Sequence, residues 1–285
     1  MSKETSRKRP IVLGVFSDTH ANSLLGLCPA EGVKRKQGGK YLPSPAQLWL
    51  WDCWLDWWRW LEQLRAQHRA KAYLIANGDL VDGTTHHGNV EQVSTSEHDM
   101  MYLATHVLSP AREWIRRHKG KVWVTRGTAS HVGDGAEDEL GRWFGAEREP
   151  ITDQWARYIV KLDLYGVRID ARHHAPTGTT RPWLRGNPAN VTAAMVYMEH
   201  QMAGYQHPHI AVRSHRHSFS MSGKNYPTEA VITPAWQLGT DFVHRVVPEA
   251  VATIGSVAIL IEPTGHYHIF PRIYRPEPAA TYREA

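Results

Sequence analysis

Cysteine is nearly absent from this sequence: 285 residues contain only Cys28 and Cys53. Two thiols can build neither a disulfide framework nor a cysteine-based zinc module, and their scarcity suits a reducing cytosol, so a cytoplasmic protein is expected. Long apolar runs are missing as well. The most apolar stretch, Leu48 to Leu61, is interrupted by Asp52, Asp56 and Arg59. That falls far short of the ~18 uninterrupted apolar residues a spanning helix needs, so no membrane association is expected. Met1 to Pro10 has no apolar segment and reads as a solvated basic tail rather than a secretory signal. Internal repeats and low-complexity segments are lacking too. A hydrophobic content of 42% with 21% charged residues excludes disordered and fibrous classes. A chain of this length can bury a sizeable core without covalent staples. One domain is expected over residues 11–274, between the tail at 1–10 and a Pro/Ala-rich tail at 275–285.

Two excesses stand against these absences. The net charge is +5 and the isoelectric point about 9.2, a balance that favours anionic partners. Histidine is the more informative one. Eighteen occur, imidazole is the commonest metal-ligating side chain, and several sit where strands are expected to end.

Ile11 to Phe16 is a short β-branched run that reads as a buried strand, and it delivers Ser17-Asp18-Thr19-His20 at its carboxyl end. Residues 21–46, with the Lys34-Arg35-Lys36 cluster, read as a long connection. A helix is expected from about Gln47 to Arg69, with Trp51, Trp54, Leu55, Trp58 and Leu61 at helical spacing. Trp49, Trp57 and Trp60 wrap it in aromatics, so it must be covered nearly all round. Strands at Tyr73–Ala76 and Val122–Thr125 alternate with one helix from Ser96 to His118, capped by Thr95 or Ser96. The second half is richer in strands. Arg157 to Leu164 and Val167 to Ala171 form a hairpin around Tyr165-Gly166, and Asn190 to Tyr205 is helical. Short strands recur at Ile210–Val212, Val231–Ile232, Val257–Ile261 and Tyr267–Phe270. The order implies an α/β fold of two mixed β-sheets packed face to face with flanking helices.

The chemistry lies in the turns that close successive strands. They offer Asp18 and His20, Asp79 and Asp82, Thr128 and His131, His173 and His174, and His215 and His217. In α/β sheets, loops leaving the carboxyl ends of neighbouring strands converge on one crevice. An Asp/His set of this size is too large for one ion. Mixed carboxylate and imidazole ligation suits Mn, Fe or Zn better than Ca or Mg, which points to two divalent metal ions, with Mn first.

In order and spacing these motifs resemble the calcineurin-like metallophosphoesterase superfamily. The resemblance rests on Asp18-Thr19-His20, Gly78-Asp79-Leu80-Val81-Asp82, the pair His173-His174, and Ser214-His215-Arg216-His217, where Ser stands for the usual Gly. It spans about residues 11–217 and implies the family's four-layer sandwich. It also implies that Asp18, His20 and His217 hold one metal and that Asp79 bridges to a second, held by His215 with His173 or His174. The His-x-Pro match of His174-Ala175-Pro176 favours His174. Asp82 would orient an imidazole without touching metal. The implied reaction is hydrolysis of a phosphoester by a hydroxide shared between two metals. Arg126, Arg216, Arg181 and Arg185 lie beside these turns and are candidates to hold phosphate oxygens, the last two reading first as surface residues.

The third motif departs from the pattern. Gly127-Thr128-Ala129-Ser130-His131 has Thr where the family has a metal-binding Asn, and its His comes two positions late. Thr128 is then a poorer ligand. His131 is either the general acid for the leaving oxygen, the role favoured here, or a substitute ligand. The basic balance and abundant aromatics lean toward phosphodiesters, nucleotide or nucleic acid. A monoesterase or protein phosphatase, a catalytically weak binding scaffold, and a nucleic-acid-binding module are the rival readings. His86 and His87 either line the substrate mouth or belong to a surface loop. The Trp helix reads first as core, second as a base-stacking platform. Cys53 reads as packing. The sequence does not specify an oligomeric state.

Overall fold

Ile11–Phe16 (β1) is buried at every position because both faces of its sheet are covered. Val12 and Phe16 face a helical layer, while Ile11, Leu13 and Val15 face a second sheet. Gly14 is the point of closest approach. A Cβ there would sit 2.8 Å from Leu74 and 2.9 Å from Leu61, so only glycine lets the first helix lie this close to β1. The computed structural model describes residues 8–36, 38–83, 91–129, 135–176, 184, 186–240, 244–245 and 251–276.

After β1 come Val33–Lys34 (β2), Lys40–Tyr41 (β3), Pro45–Gln67 (α1), Lys71–Asn77 (β4), Glu97–Val107 (α2), Ser109–His118 (α3) and Lys121–Thr125 (β5). The second half contains Ala136–Phe144 (α4), Ala156–Arg157 (β6), Val160–Leu164 (β7), Val167–Ala171 (β8) and Asn187–Met202 (α5). It closes with Ile210–Arg213 (β9), Ser220–Met221 (β10), Glu229–Ile232 (β11), Ile254–Ile261 (β12) and Tyr267–Tyr274 (β13). One sheet has the order β13-β12-β1-β4-β5-β6, the other β10-β11-β9-β8-β7. Both are mixed: β1, β4, β5 and β6 run parallel, as do β8, β9 and β11, with antiparallel strands added outside them. Leu13, Ile75, Trp123 and Ile259 of the first sheet meet Val160, Ile169, Val212 and Val231 of the second. Helices α1 to α4 pack on the outer face of the first sheet. On the outer face of the second, Ala193 of α5 packs against Ala211 and Ala230. This is an α/β four-layer sandwich.

Helix α1 begins at a capping box: Ser44 Oγ accepts the Gln47 N–H, and the Gln47 side chain accepts the Ser44 N–H. Its tryptophans are core. Trp54 and Trp57 are fully buried, Trp54 packs edge-on against Phe16 and Trp236, and its Nε1–H donates to the Val107 carbonyl. Both thiols are buried and free, and burial pushes Cys28 up to about 12 and Cys53 up to about 11. Among the described residues, no helix is long and apolar enough to cross a membrane.

Three local expectations are corrected. The helix expected over 96–118 is two helices joined at Leu108, because Pro110 opens α3 and has no N–H to continue α2. The strand expected over 157–164 divides: β6 pairs with β5 in one sheet and β7 with β8 in the other, so Tyr158 and Ile159 carry the chain between sheets. The connection at 21–46 contains the β2–β3 ladder. The hairpin turn at Tyr165-Gly166 lies where expected, with φ of 57° and 84°.

Candidate metal centre

The strand ends are stitched together before any ligand is considered. The Asp18 N–H donates to the Gly78 carbonyl, the His20 N–H to Asp79, and the Trp236 N–H to the Asp18 carbonyl. Behind them runs a buried chain of polar side chains, one from each strand end: Thr125 to Asn77, Asn77 to Ser214, Ser214 to Thr233, Thr233 to Ser17, at 2.6–2.9 Å. Asn77 also donates to the Arg172 carbonyl at 3.0 Å, and its own carbonyl accepts His173 Nδ1–H at 2.7 Å. This residue therefore ties the first sheet to the second.

The left-handed backbone conformation is rare for residues with side chains. It recurs here at Asp18 (φ 51°), His20 (39°), Asp79 (50°), His215 (71°) and His217 (49°). Each turn is bent so that its side chain faces the crevice. Room is made by glycine. A Cβ on Gly127 would lie 2.2 Å from Asp79 Oδ1, and one on Gly78 would lie 2.6 Å from His173 Nδ1.

Three overlapping sets of metal-competent atoms result: Asp18, His20 and His217; Asp18, Asp79 and His173; His173, His174 and His215. His217 Nε2 lies 3.2 Å from Asp18 Oδ1 and 3.2 Å from His20 Nε2. His173 Nε2 lies 2.9 Å from Asp79 Oδ2 and 3.9 Å from Asp18 Oδ1. His215 Nδ1 lies 3.8 Å from Asp79 Oδ2. Because His173 Nδ1–H is given to a carbonyl, its Nε2 is left to face the two carboxylates, the tautomer a metal ligand requires. The His-x-Pro match favours His174, and the structure adds His173 to the same centre. The Thr128 hydroxyl donates to Asp79 Oδ2 at 3.2 Å and lies 3.2 Å from His215 Nδ1 and 3.4 Å from His174 Nε2.

This donor set fits divalent cations. Buried Asp18 Oδ1 and His173 Nε2 face only the ionisable groups of the site itself among the described residues, an expensive condition unless a cation serves them. Burial and the neighbouring His217 hold His20 down at about 4, neutral and able to ligate. Burial opposes a charge on His173, but Asp79 and Asp18 outweigh it and push the imidazole up to about 10, so without a cation its Nε2 carries a proton that a bound metal would displace. The same imidazole keeps Asp79 well below the usual carboxylate range against the opposing effect of burial.

The other expected residues divide. Asp82 is buried and its charge acts on His20. Arg216 is half-buried with its Nε unpartnered among the described residues, and its Nη1 donates to the Pro176 carbonyl at 3.4 Å. Arg126 reaches Gln154 at 3.3 Å and Asp138 at 3.9 Å, with its guanidinium over the Tyr158 ring. His131, His86, His87, Arg181 and Arg185 lie outside the described residues. His106 and His200 bond carbonyls of their own helices and His118 pairs with Glu62, ordinary structural roles.

Sequence reasoning missed Glu137. This buried carboxylate in the first turn of α4 accepts the Gly127 N–H and faces the Leu80 N–H at 3.5 Å, clamping the two turns that carry Asp79 and Thr128. Burial, reinforced by Asp79, pushes it up to about 7. Asn77 and Thr233 were missed as well. The available signal was the polar residue that closes each apolar run.

No protein-family model matches the chain, and no curated protein does. Among solved structures, it is similar to a hypothetical protein from Pyrococcus horikoshii at 10% identity, covering 92% of this chain and 87% of that one, with a TM-score of 0.42. A Thermotoga maritima protein solved by NMR is 10% identical over 93% of this chain and 99% of its own, with a TM-score of 0.36. A dimetal phosphatase from Danio rerio is 8% identical over 89% and 96%, with a TM-score of 0.38. The two-sheet sandwich and its buried Asp/His cluster are compatible with a metallophosphoesterase.

Proposed function

We propose that this protein is a metal-dependent phosphoester hydrolase acting on phosphodiesters of nucleotides or nucleic acid. The observation that carries the reading is the overlap of the three ligand sets, in which Asp18 and His173 each belong to two, with Asp79 Oδ2 2.9 Å from His173 and 3.8 Å from His215. When bound, a pair of divalent cations supplies Lewis acidity and charge neutralisation for an in-line displacement at phosphorus. Asp18, His20 and His217 would hold one cation and His215 with His173 and His174 the other, with the Asp79 carboxylate available to both. Arg216 offers its half-buried guanidinium to a non-bridging oxygen, which costs little because the group is already desolvated. Asp82 supports His20 electrostatically, and Glu137 and Asn77 keep the turns at fixed separation. His131 donates the proton to the leaving oxygen. A centre of this chemistry takes Mn²⁺ first, with Fe or Zn as alternatives, in a cytoplasmic protein.

The test is turnover of a bis-aryl phosphodiester and an aryl monophosphate with added Mn²⁺, with chelated protein and Asp79→Asn as controls. The diester should be hydrolysed only with metal and intact Asp79. Absence of metal-dependent turnover on either ester, and on DNA and RNA, overturns the reading in favour of a binding scaffold. His131→Ala should lower kcat and leave metal content intact; loss of one equivalent of metal would make His131 a ligand instead.

A further inference from the structure

A pocket of about 480 Å³ adjoins the centre and shares His173 and His174 with it. Its floor is the carboxyl ends of β8 and β9. Its sides are the crossing between sheets at Tyr158-Ile159 and the face of α5 that carries Met195. The volume lies in the range of small-molecule sites, ~300–1,000 Å³, and is far larger than a phosphate group requires. The walls are apolar and uncovered: Tyr158 is 73% exposed and Met195 50% exposed. Large side chains held in water beside a polar crevice mark a surface that something else covers.

Three arginines, Arg126, Arg172 and Arg213, also line the pocket. The Arg126 guanidinium lies 5.8 Å from the centre of the Tyr158 ring, a pairing of cation and aromatic face on which planar groups stack. Arg172 and Arg213 both pair with the single carboxylate of Asp170, at 2.9–3.0 Å, so the pair carries one positive charge in excess. Arg172 is the exposed partner and Arg213 the buried one. A long acyl chain would have no use for these guanidiniums, and a small alkyl phosphate would leave Tyr158 uncovered.

We propose that this pocket binds the nucleoside portion of the substrate, with its base on Tyr158 and Met195 and an anionic group toward Arg172. The proposal rests on the hydrolase reading for its place in turnover. It makes this protein selective for nucleotide-bearing phosphodiesters over simple ones.

Two diesters of equal charge and identical leaving group test it: thymidine 5′-(p-nitrophenyl) phosphate and methyl p-nitrophenyl phosphate, hydrolysed by Mn²⁺-loaded protein. The nucleoside ester should have a kcat/KM at least about tenfold higher. Tyr158→Ala should reduce that ratio about tenfold, and Arg172→Gln should instead weaken thymidine monophosphate binding, while Tyr226→Ala, an exposed tyrosine elsewhere, leaves both unchanged. Independently, the chelated protein should bind thymidine monophosphate in calorimetry, about tenfold more weakly as Tyr158→Ala. A ratio near one, a ratio unmoved by Tyr158→Ala, or stronger turnover of a phosphopeptide overturns the proposal. If neither diester is hydrolysed, the hydrolase reading fails, and thymidine monophosphate binding alone then decides the pocket.

Discussion

β1 feeds two buried clusters that are held in opposite ways. On the helical side, Phe16 packs edge-on into Trp54, Trp57 and Trp58 at 5.3–6.3 Å, and Trp54 in turn packs edge-on against Trp236 at 4.9 Å. Two residues beyond the strand, Asp18 joins a cluster of carboxylates and imidazoles of which Asp18, His20, Asp79 and His173 are just as buried. The first gains free energy from every apolar surface removed from water. The second loses it, by desolvating charge and bending backbone, and is kept only because the surrounding hydrogen bonds overdetermine it. Burial alone thus does not distinguish a core from a site. The convergence of carboxylates and imidazoles does, since the indole nitrogens of Trp57 and Trp58 are also buried without a partner among the described residues.

The sharpest break of that comparison is a pair of substitutions. Asp79→Asn should cut metal-dependent turnover about a thousandfold or more and abolish the thermal upshift that Mn²⁺ gives the wild type, with little effect on the metal-free Tm. Trp54→Ala should do the reverse, costing about 3–5 kcal/mol of stability while metal content of the folded fraction is retained. Calorimetric melts with and without chelator read both; equal Tm losses would erase the distinction.

A subtler break is Gly127→Ala, which forces a methyl group against Asp79 Oδ1 and its backbone nitrogen. Metal affinity should fall about 10- to 100-fold, read by titration with Mn²⁺. An unchanged affinity would show that the turn has room to move.

The smallest effect lies on the helical side, where Glu62 joins α1 to α3. Arg65 and Trp114 hydrogen-bond its carboxylate and His118 lies 2.8 Å away. The Arg65 bond, against a smaller opposing effect of burial, draws Glu62 down to about 2 from the ordinary 4.5. The carboxylate is lowered on folding, so its stabilisation is complete above pH 4.5 and disappears as pH falls toward 2. Partial exposure limits it to about 1 kcal/mol. Glu62→Gln should lower Tm by a few degrees at pH 7 and by nothing near pH 2; a difference that persists in acid would assign the effect to packing.

Much of the sandwich was legible because its strands are continuous apolar runs, and periodicity reads those well. The Trp helix was legible for the same reason. Its start was written in Ser44-Pro45-Ala46-Gln47 and was placed at Gln47, two residues late. Helix α4 went unread because Glu137, Asp138 and Glu139 mask its apolar face of Leu140 and Phe144. The break at Leu108 was signalled by Pro110 and overridden by the charged residues on either side.

The site residues were legible as motifs, since Asp and His closing five successive turns is a chemical pattern. What motifs cannot carry is depth. His173 and His174 are adjacent in sequence, yet one is buried against Asp79 and the other exposed. Nor could spacing find Glu137 or Asn77, whose importance arises only when separate turns meet in space.

The left-handed turns at Asp18, Asp79 and His215 have one further consequence. Such positions cost of order 1–3 kcal/mol each, and glycine occupies them with less strain. Selection for heat tolerance alone would therefore harvest glycines in these three turns. The survivors would melt later, and the crevice would have been emptied of the groups that give it a purpose.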